Sequence, residues 1–252
     1  MPIDTIDDVI AALDSIIHRS LEEGSRLGYF AALYRRVTRH VKAGIAGGQF
    51  EDGPRMERLD VVFARRYLEP YDAFRAGRSV PRCWLVAFQA CSDPLPCVLQ
   101  HLAAGMNAHI NFDLGMAAAE VAPGDALPAL LVDYNQINNI LAAETAGVEQ
   151  LLAGLSPALH LMRDAGMMTD HQIVTFSLFK ARDLAWLTAQ RMASNPRDRE
   201  NRLTLLDHTV ALLGTAVLNP PPAIALKLAA VRALEVTDVR RVTEALAAGN
   251  GN

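Results

Sequence analysis

The sequence predicts an all-α fold: one globular domain of about eight helices. Hydrophobic residues make up 51% of the 252 residues, and most of them are Ala and Leu, which favour helices. Apolar residues recur with a helical period in most segments, and we find no strict alternation or Asn-Gly hairpin that would indicate strands. A chain of this length can bury a large core. We therefore expect a single helical domain over residues 1–248, followed by a flexible tail at 249–252.

Capping and helix-breaking residues predict where the helices lie. Asp4 is suited to cap the first helix, Gly47-Gly48 ends the second, and Pro54 fits the first turn of the third. Pro70 is expected to kink or break that third helix. The expected helices span about 4–22, 27–46, 54–76, 97–119, 128–152, 157–166, 170–193, 199–218 and 221–247.

Charge and composition argue against several classes of protein. The formal net charge is −4, so we expect no nucleic-acid partner, because phosphate binding needs a basic surface. The acidic N-terminus does not resemble a secretory signal, and prolines interrupt the most apolar windows, so we expect no membrane partner. Three cysteines do not suggest a disulfide framework. We expect a cytoplasmic protein whose oligomeric state the sequence leaves open.

The segment 97–119 carries the most unusual pattern, because it mixes polar and apolar residues on what we expect to be one central helix. Four residues follow each other at steps of four and form one stripe: His101, Gly105, His109 and Asp113. Asn107 and Asn111 also lie four apart, nearly opposite that stripe. Polar groups on two sides of a central helix must be satisfied inside the protein, and such costly burial often marks a site.

Acid–base catalysis is our leading interpretation of this stripe. Asp113 can accept a hydrogen bond from His109, which would orient the imidazole and leave its second nitrogen free to move a proton. Asn107 and Asn111 could then polarise a carbonyl or hold a substrate oxygen. This arrangement suggests an enzyme that acts on a small, uncharged, partly apolar molecule.

A substrate pocket is expected around this pair. Gly105 leaves a gap in the helix wall, and Met106, Phe112 and Met116 would supply an adaptable apolar lining. The residues expected to contact the substrate are His101, Gly105, Asn138, Arg182, Trp186 and Tyr67.

A metal site is the first alternative. His109 and Asp113 could chelate one Zn or Fe ion in a metal-dependent hydrolase or oxygenase. His101 lies roughly 12 Å away along an unbroken α-helix, too far to share that ion. Further ligands would have to come from other helices, and the candidates are Asp60, Asp133, or His160 with Asp164. We expect no nucleotide cofactor, because the chain has no phosphate-binding Gly-rich loop and no dinucleotide fingerprint.

A purely structural role is the second alternative, in a non-catalytic binding or scaffold module. The His109–Asp113 pair would then be a satisfied buried pair, and Gly105 would only allow two helices to cross closely. Arg66 and Arg182 would pair with Asp60, Asp113 or Asp133 and hold the helices in register. Buried polar networks are often structural, so this interpretation stays open at the level of sequence.

The segment Gly105–Leu114 also resembles the signature of a large bacterial and fungal family of domains of unknown function. That family reads Asn-Ala-His-Ile-Asn, one variable residue, then Asp-Leu. The resemblance implies an all-α domain and no particular mechanism. Shorter elements extend it over roughly residues 30–190: Leu33-Tyr34 with Val37-Thr38, Leu59-Asp60 through Phe63-Ala64 with Arg66-Tyr67, Asp133-Tyr134 with Ile137-Asn138, and Arg182 with Ala185-Trp186 and Ala189.

Overall fold

The computed structural model describes residues 2–155, 171–194 and 199–248, and every regular element in these ranges is helical. The all-α prediction is confirmed, with more helices than the eight or so expected. The expected helix at 157–166, the pair His160 and Asp164, and the tail at 249–252 lie outside these ranges. In chain order the helices are α1 (Ile6–Glu23), α2 (Leu27–Ala46), α3 (Gly53–Arg75), α4 (Arg82–Ala90), α5 (Val98–Met106), a π-helix (Asn107–Leu114), α6 (Gly115–Val121), a 3₁₀ turn (Gly124–Ala126), α7 (Leu127–Leu155), α8 (His171–Ser194), α9 (Arg199–Leu218), α10 (Pro222–Ala233) and α11 (Val239–Ala248).

The structure differs from the sequence prediction in the residue that caps α1 and in the effect of Pro70 on α3. Thr5, not Asp4, caps α1, because its hydroxyl accepts from the Asp8 amide at 3.2 Å while the Asp8 carboxylate accepts from the Thr5 amide at 2.9 Å, a reciprocal capping box. Helix α3 continues through Pro70 to Arg75, so the proline does not end it.

The last predicted helix, 221–247, is in fact two helices, α10 and α11. The break lies at Glu235, whose buried carboxylate accepts the backbone amide of Val98 at 3.1 and 3.2 Å. This contact caps the N-terminus of α5, where four amides lack partners within the helix. The helical pattern in the sequence does not show that the side chain of Glu235 is buried and caps a different helix.

The segment formed by α5, the π-helix and α6 lies at the centre of the fold and contacts α2, α3, α4, α8 and α9. Glycines allow close approach at both ends of the π-helix. The ring of Phe30 in α2 lies 2.7 Å from where a Gly105 Cβ would be, and the Ala185 carbonyl of α8 lies 2.5 Å from where a Gly115 Cβ would be. The central segment is therefore held between α2 and α8 by contacts that only glycine permits.

Replacing Gly115 by Ala is expected to lower the free energy of unfolding by about 1–3 kcal/mol, because the new methyl group meets a backbone carbonyl that cannot move alone. Gly214→Ala is the matched control. Its new Cβ would lie 3.2 Å from the Asn107 side-chain nitrogen, and Ala gains up to about 1 kcal/mol of helix propensity, so we expect little net change. Urea unfolding measures both, and equal losses in the two variants would contradict this account of Gly115.

No single helix in the described ranges is long and apolar enough to cross a membrane. Helices α9 and α10 meet the same length and composition test only when taken together, and they are bent by 63° relative to each other.

Candidate functional site

The signature segment forms a π-helix where the sequence predicts an unbroken α-helix. Eight residues, Asn107–Leu114, adopt this form, in which each amide bonds to the carbonyl five residues back. Residues four apart therefore lie nearly above one another, and both polar pairs of the segment make side-chain contacts. Short π-helical insertions within α-helices occur frequently at functional sites.

His109 and Asp113 form the predicted contact. The Nδ1 atom of His109 lies 3.1 Å from Oδ2 of Asp113, and the same oxygen accepts a hydrogen bond of 3.0 Å from Nε1 of Trp84 in α4. Only 3% of His109 and 2% of Asp113 is exposed. The imidazole is thus oriented by a carboxyl group, and the carboxyl group is itself held by an indole.

Aromatic rings enclose the His109 imidazole. Phe63 stacks on it face to face, with ring centroids 3.6 Å apart and an interplanar angle of 7°. Tyr34 meets it edge-on at 4.6 Å. Three more rings have centroids within 6.2 Å of the imidazole: Phe30, Tyr67 and Trp84. We call these five side chains the aromatic cage.

Burial favours the uncharged forms of the His109–Asp113 pair. It lowers the pKa of His109 well below its ordinary value. It also raises the pKa of Asp113 well above its ordinary value, although the Trp84 hydrogen bond and the positive charge of Arg66 act in the opposite direction. The favoured state is a carboxylic acid beside a neutral imidazole, with one proton between Oδ2 and Nδ1. The second ring nitrogen, Nε2, then carries a hydrogen.

Several buried polar atoms on the helices around His109 have no hydrogen-bond partner among the described residues. They include the hydroxyl groups of Tyr34 and Thr38, one carboxyl oxygen of Asp60, and Nε2 of His109. Tyr34 and Thr38 lie four apart on α2, and the charges of Asp60 and Asp113 are close enough to raise the pKa of Tyr34 beyond the effect of its burial. Buried polar groups in proteins are nearly always paired, so a cluster of unpaired ones requires an explanation.

The packing around His109 is closed in this structure. A cavity of about 10 Å³ adjoins the aromatic cage and is lined by His101, Gly105, Tyr67 and Trp84, among others. It therefore brings together three of the residues predicted to contact a substrate, but its volume suits about one water molecule. The gap that we expected at Gly105 is filled by the ring of Phe30.

His101 lies at this cavity and apart from His109. Its ring meets Tyr29 edge-on at 5.9 Å. Burial lowers the pKa of His101 to about 4, and the charges of Arg26 and Arg232 add to this effect. The ring nitrogens form no hydrogen bond of ordinary geometry with the part of the chain that the structure describes, although the Pro96 carbonyl weakly favours the protonated ring. His101 is thus a neutral histidine at physiological pH.

Asn107 and Asn111 do not face His109, contrary to their predicted role as polarising groups. The Asn107 side chain donates to the Val210 carbonyl of α9 at 2.8 Å, and its own oxygen accepts from Asn111 at 3.0 Å. These bonds attach the π-helix to α9. Both side chains are occupied by structural hydrogen bonds on the side away from the aromatic cage.

Asn138, Arg182 and Trp186 form a separate cluster with Tyr134 where α7 meets α8. Arg182 donates to the Asn138 side chain at 2.6 Å and to the Tyr134 carbonyl, and the Tyr134 hydroxyl donates to the Arg182 carbonyl at 2.8 Å. Trp186 packs on the Tyr134 ring at 4.9 Å. The expected carboxylate partner of Arg182 is thus replaced by neutral oxygens, and this cluster holds two helices together.

Asp133 is a structural residue and does not join the candidate metal ligands. It accepts hydrogen bonds from the amides of Glu51 and Asp52 and from Arg55, at 2.6–3.0 Å. Burial raises its pKa, but these hydrogen bonds outweigh that effect and the net pKa is lowered. Asp133 therefore fixes the start of α3.

The metal interpretation gains no support from the described part of the chain, which holds no group of three or more His, Cys, Asp or Glu side chains able to share an ion. Arg66 does not form the expected pair with a buried aspartate. It pairs instead with Glu120 and contacts the Met116 sulfur at 3.7 Å.

Trp84, Tyr34 and Phe63 are site residues that our sequence analysis did not identify. A signal for them exists, because aromatic residues follow each other at steps of four on three helices: Phe30-Tyr34, Phe63-Tyr67-Tyr71 and Trp84-Phe88. Residues at this spacing share a helix face. In a chain with only 6% aromatic residues, such repeats predict one common aromatic cluster.

Replacing Tyr34 by Phe is expected to leave stability unchanged or to raise it by up to about 1 kcal/mol, because the substitution removes a buried hydroxyl that has no partner. Tyr134→Phe is the matched control and should lower stability by about 1 kcal/mol, because that hydroxyl donates a hydrogen bond. Chemical denaturation compares the two. Equal destabilisation would mean that the Tyr34 hydroxyl is satisfied in solution.

Comparison with protein families shows that the model of DUF5995, a family of unknown function, matches residues 6–220. No curated protein and no solved structure matches the chain.

Proposed function

The chain belongs to DUF5995, a family of unknown function, and we propose that it is an enzyme that acts on a small, partly apolar organic molecule by proton transfer at His109. One observation carries this proposal. The imidazole is oriented through Nδ1 by Asp113, while Nε2 and other polar groups on the surrounding helices are buried without a partner among the described residues. A structural network would have satisfied these groups, since each unpaired one costs about 1–3 kcal/mol.

The proposed chemistry is a two-proton relay. Nε2 of His109 gives its hydrogen to an oxygen of the bound molecule, and the proton on Oδ2 of Asp113 moves to Nδ1. The imidazole stays neutral, and the Asp113 carboxylate that results is stabilised by the Trp84 hydrogen bond and by the charge of Arg66. In the reverse relay, Nε2 takes a proton from the bound molecule or from the water that attacks it, and Nδ1 returns its proton to Oδ2 of Asp113, which restores the resting pair. Positioned acid–base groups of this kind contribute about 10²–10⁴-fold to a rate.

Access to His109 requires a side chain to move, and Phe63 is the one best placed to do so. Its ring covers one face of the imidazole and is only partly buried. A rotation of this ring towards solvent would open a space of its own size over the face of the imidazole. Side-chain and loop movements that admit a substrate are common in enzymes.

The test uses three neutral probes whose oxygen can accept a proton: phenyl acetate, styrene oxide and acetophenone. We expect the protein to hydrolyse or open one of the first two, or to exchange the methyl protons of acetophenone in D₂O. His109→Asn should reduce that rate at least 100-fold, because the side-chain amide can replace Nδ1 as the partner of Asp113 but supplies no Nε2. His18→Asn is the control, since His18 is exposed on α1. Turnover that survives His109→Asn, or no turnover of any probe, would overturn the proposal.

The closed packing of His109 specifically favours a second candidate, a non-catalytic binding or scaffold module whose buried pair is structural. This candidate predicts that His109→Asn lowers stability and changes no rate. It also predicts that the Tyr34 hydroxyl contributes to stability. The enzyme proposal predicts that this hydroxyl does not stabilise the fold, because functional groups are often kept at the expense of stability.

A further inference from the structure

We infer that the molecule bound beside His109 is an uncharged carbonyl compound whose oxygen accepts hydrogen bonds from Tyr34 and Asp60. This inference rests on the proposed function and names the substrate class of the same site. Three observations support it: the unpaired polar groups near the imidazole, the hydrogens that those groups carry, and the shape of the aromatic cage.

Tyr34 lies against the His109 ring, and Asp60 is close enough to Tyr34 for its charge to act on the Tyr34 hydroxyl. The Tyr34 ring is 4.6 Å from the His109 ring and 6.0 Å from Phe63 in α3. Asp60 precedes Phe63 by three residues and so shares its face of α3. The Tyr34 hydroxyl and one Asp60 oxygen are buried and have no partner in the described part of the chain. Their residues are 5% and 7% exposed.

Both groups are hydrogen-bond donors at neutral pH. Tyr34 keeps its hydrogen because burial raises its pKa well above the ordinary value. Burial, with a smaller contribution from Glu57, raises the pKa of Asp60 to about 8, so its carboxyl group is mostly protonated at pH 7. With Nε2 of His109, the site presents donor hydrogens for which no described residue supplies an acceptor. A ligand that satisfies it must therefore present an acceptor oxygen.

The ligand is expected to be uncharged. Arg66, whose charge acts on Asp113, is already paired with Glu120, and burying an unpaired anion is costly. An anionic ligand would also oppose ionisation of Asp113 during the relay. The stacking of Phe63 on His109 shows that the face of the imidazole accepts a flat ring, so an aryl or conjugated ketone suits this place once Phe63 has moved away.

Two hydrogen-bond donors aimed at one carbonyl oxygen would also serve catalysis. They stabilise negative charge that develops on the oxygen when a neighbouring C–H or a carbonyl bond reacts. Tyr34 and Asp60 would then hold the substrate oxygen, while Nε2 of His109 gives its hydrogen to that oxygen. The Thr38 hydroxyl lies one turn beyond Tyr34 on α2 and is likewise without a partner among the described residues.

The experiment measures binding of three fluorinated probes by fluorine NMR: 4-fluoroacetophenone, 4-fluorotoluene, which lacks the oxygen, and 4-fluorobenzoate, which is an anion. It uses the wild-type chain and the Phe63→Ala and Phe63→Leu variants, which open space beside the imidazole to different extents. An apolar cavity of this kind binds small aromatic molecules. We expect 4-fluoroacetophenone to bind at least tenfold more tightly than either other probe.

Tyr34→Phe and Asp60→Leu, made in the Phe63→Leu background, are each expected to reduce that preference about three- to tenfold. Asp60→Asn should retain most of it, because an amide still donates. Tyr134→Phe is the control, and it should leave the preference unchanged, because Tyr134 lies in the separate α7–α8 cluster. A preference that survives both Tyr34→Phe and Asp60→Leu, equal binding of 4-fluorotoluene, or tighter binding of the benzoate would overturn the inference.

The His109→Asn variant separates this inference from the proposed function. If it keeps the carbonyl preference while no turnover probe reacts in the wild type, the ligand assignment stands and proton transfer fails. If turnover depends on His109 but the three fluorinated probes bind alike, the enzyme proposal stands and the carbonyl assignment fails.

Discussion

Replacing Asp113 by Ala should lower the free energy of unfolding by about 3–5 kcal/mol, among the largest single-residue effects in this chain. The substitution leaves two buried groups without a partner, Nδ1 of His109 and the indole N–H of Trp84, because both contact the same carboxyl oxygen. It also leaves a cavity between α4 and the π-helix, whose walls cannot fully collapse.

Asp113→Asn is the matched variant, since its amide oxygen can still accept from Trp84. We expect it to cost markedly less than Asp113→Ala. Urea unfolding, followed by circular dichroism, measures both. If Asp113→Ala costs less than about 1 kcal/mol, the interaction of Trp84, Asp113 and His109 does not hold the site together.

Replacing Asp60 by Asn is expected to stabilise the protein in a pH-dependent manner. Burial raises the pKa of Asp60 from 3.8 to about 8, so the folded state holds this proton more tightly than the unfolded state does. Below pH 3.8 the group imposes no penalty. Between pH 3.8 and about 8 the wild type loses up to about 1.4 kcal/mol of stability per pH unit from this one group. An amide does not titrate, and Asp60→Asn removes the loss.

The measurement is the difference in unfolding free energy between the variant and the wild type, taken at pH 5, 6, 7 and 8. We expect this difference to grow in favour of Asp60→Asn as the pH rises. Taking the difference cancels the titration of the other groups. A difference that is constant with pH would show that Asp60 is ionised or exposed in solution, and it would remove Asp60 as a hydrogen-bond donor in the site.

Local patterns in the sequence were sufficient to predict several features of the structure. Helical periodicity and the lack of strand signals predicted the all-α fold. The four-residue step from His109 to Asp113 predicted their contact, because both residues belong to one helix and spacing within a helix is set by backbone geometry. The family resemblance over residues 30–190 agrees with the match to DUF5995 over residues 6–220.

Other features depend on residues far apart in the chain, and spacing does not predict them. Trp84 reaches Asp113 from another helix. Asn107 donates a hydrogen bond to the Val210 carbonyl, and Asp133 accepts a hydrogen bond from the Glu51 amide, just before α3 begins. Each buried polar group takes whichever partner the packing brings near, so its role is decided by long-range contacts.

The sequence by itself determined that this protein is helical and that an imidazole and a carboxyl group meet one turn apart. The tertiary structure decided that the segment carrying them is a π-helix held between α2 and α8, that an aromatic cage closes over the imidazole, and which polar groups remain unpaired. The physical reason is that backbone hydrogen bonds and side-chain periodicity act locally, whereas desolvation and hydrogen-bond satisfaction depend on every helix that packs around the site.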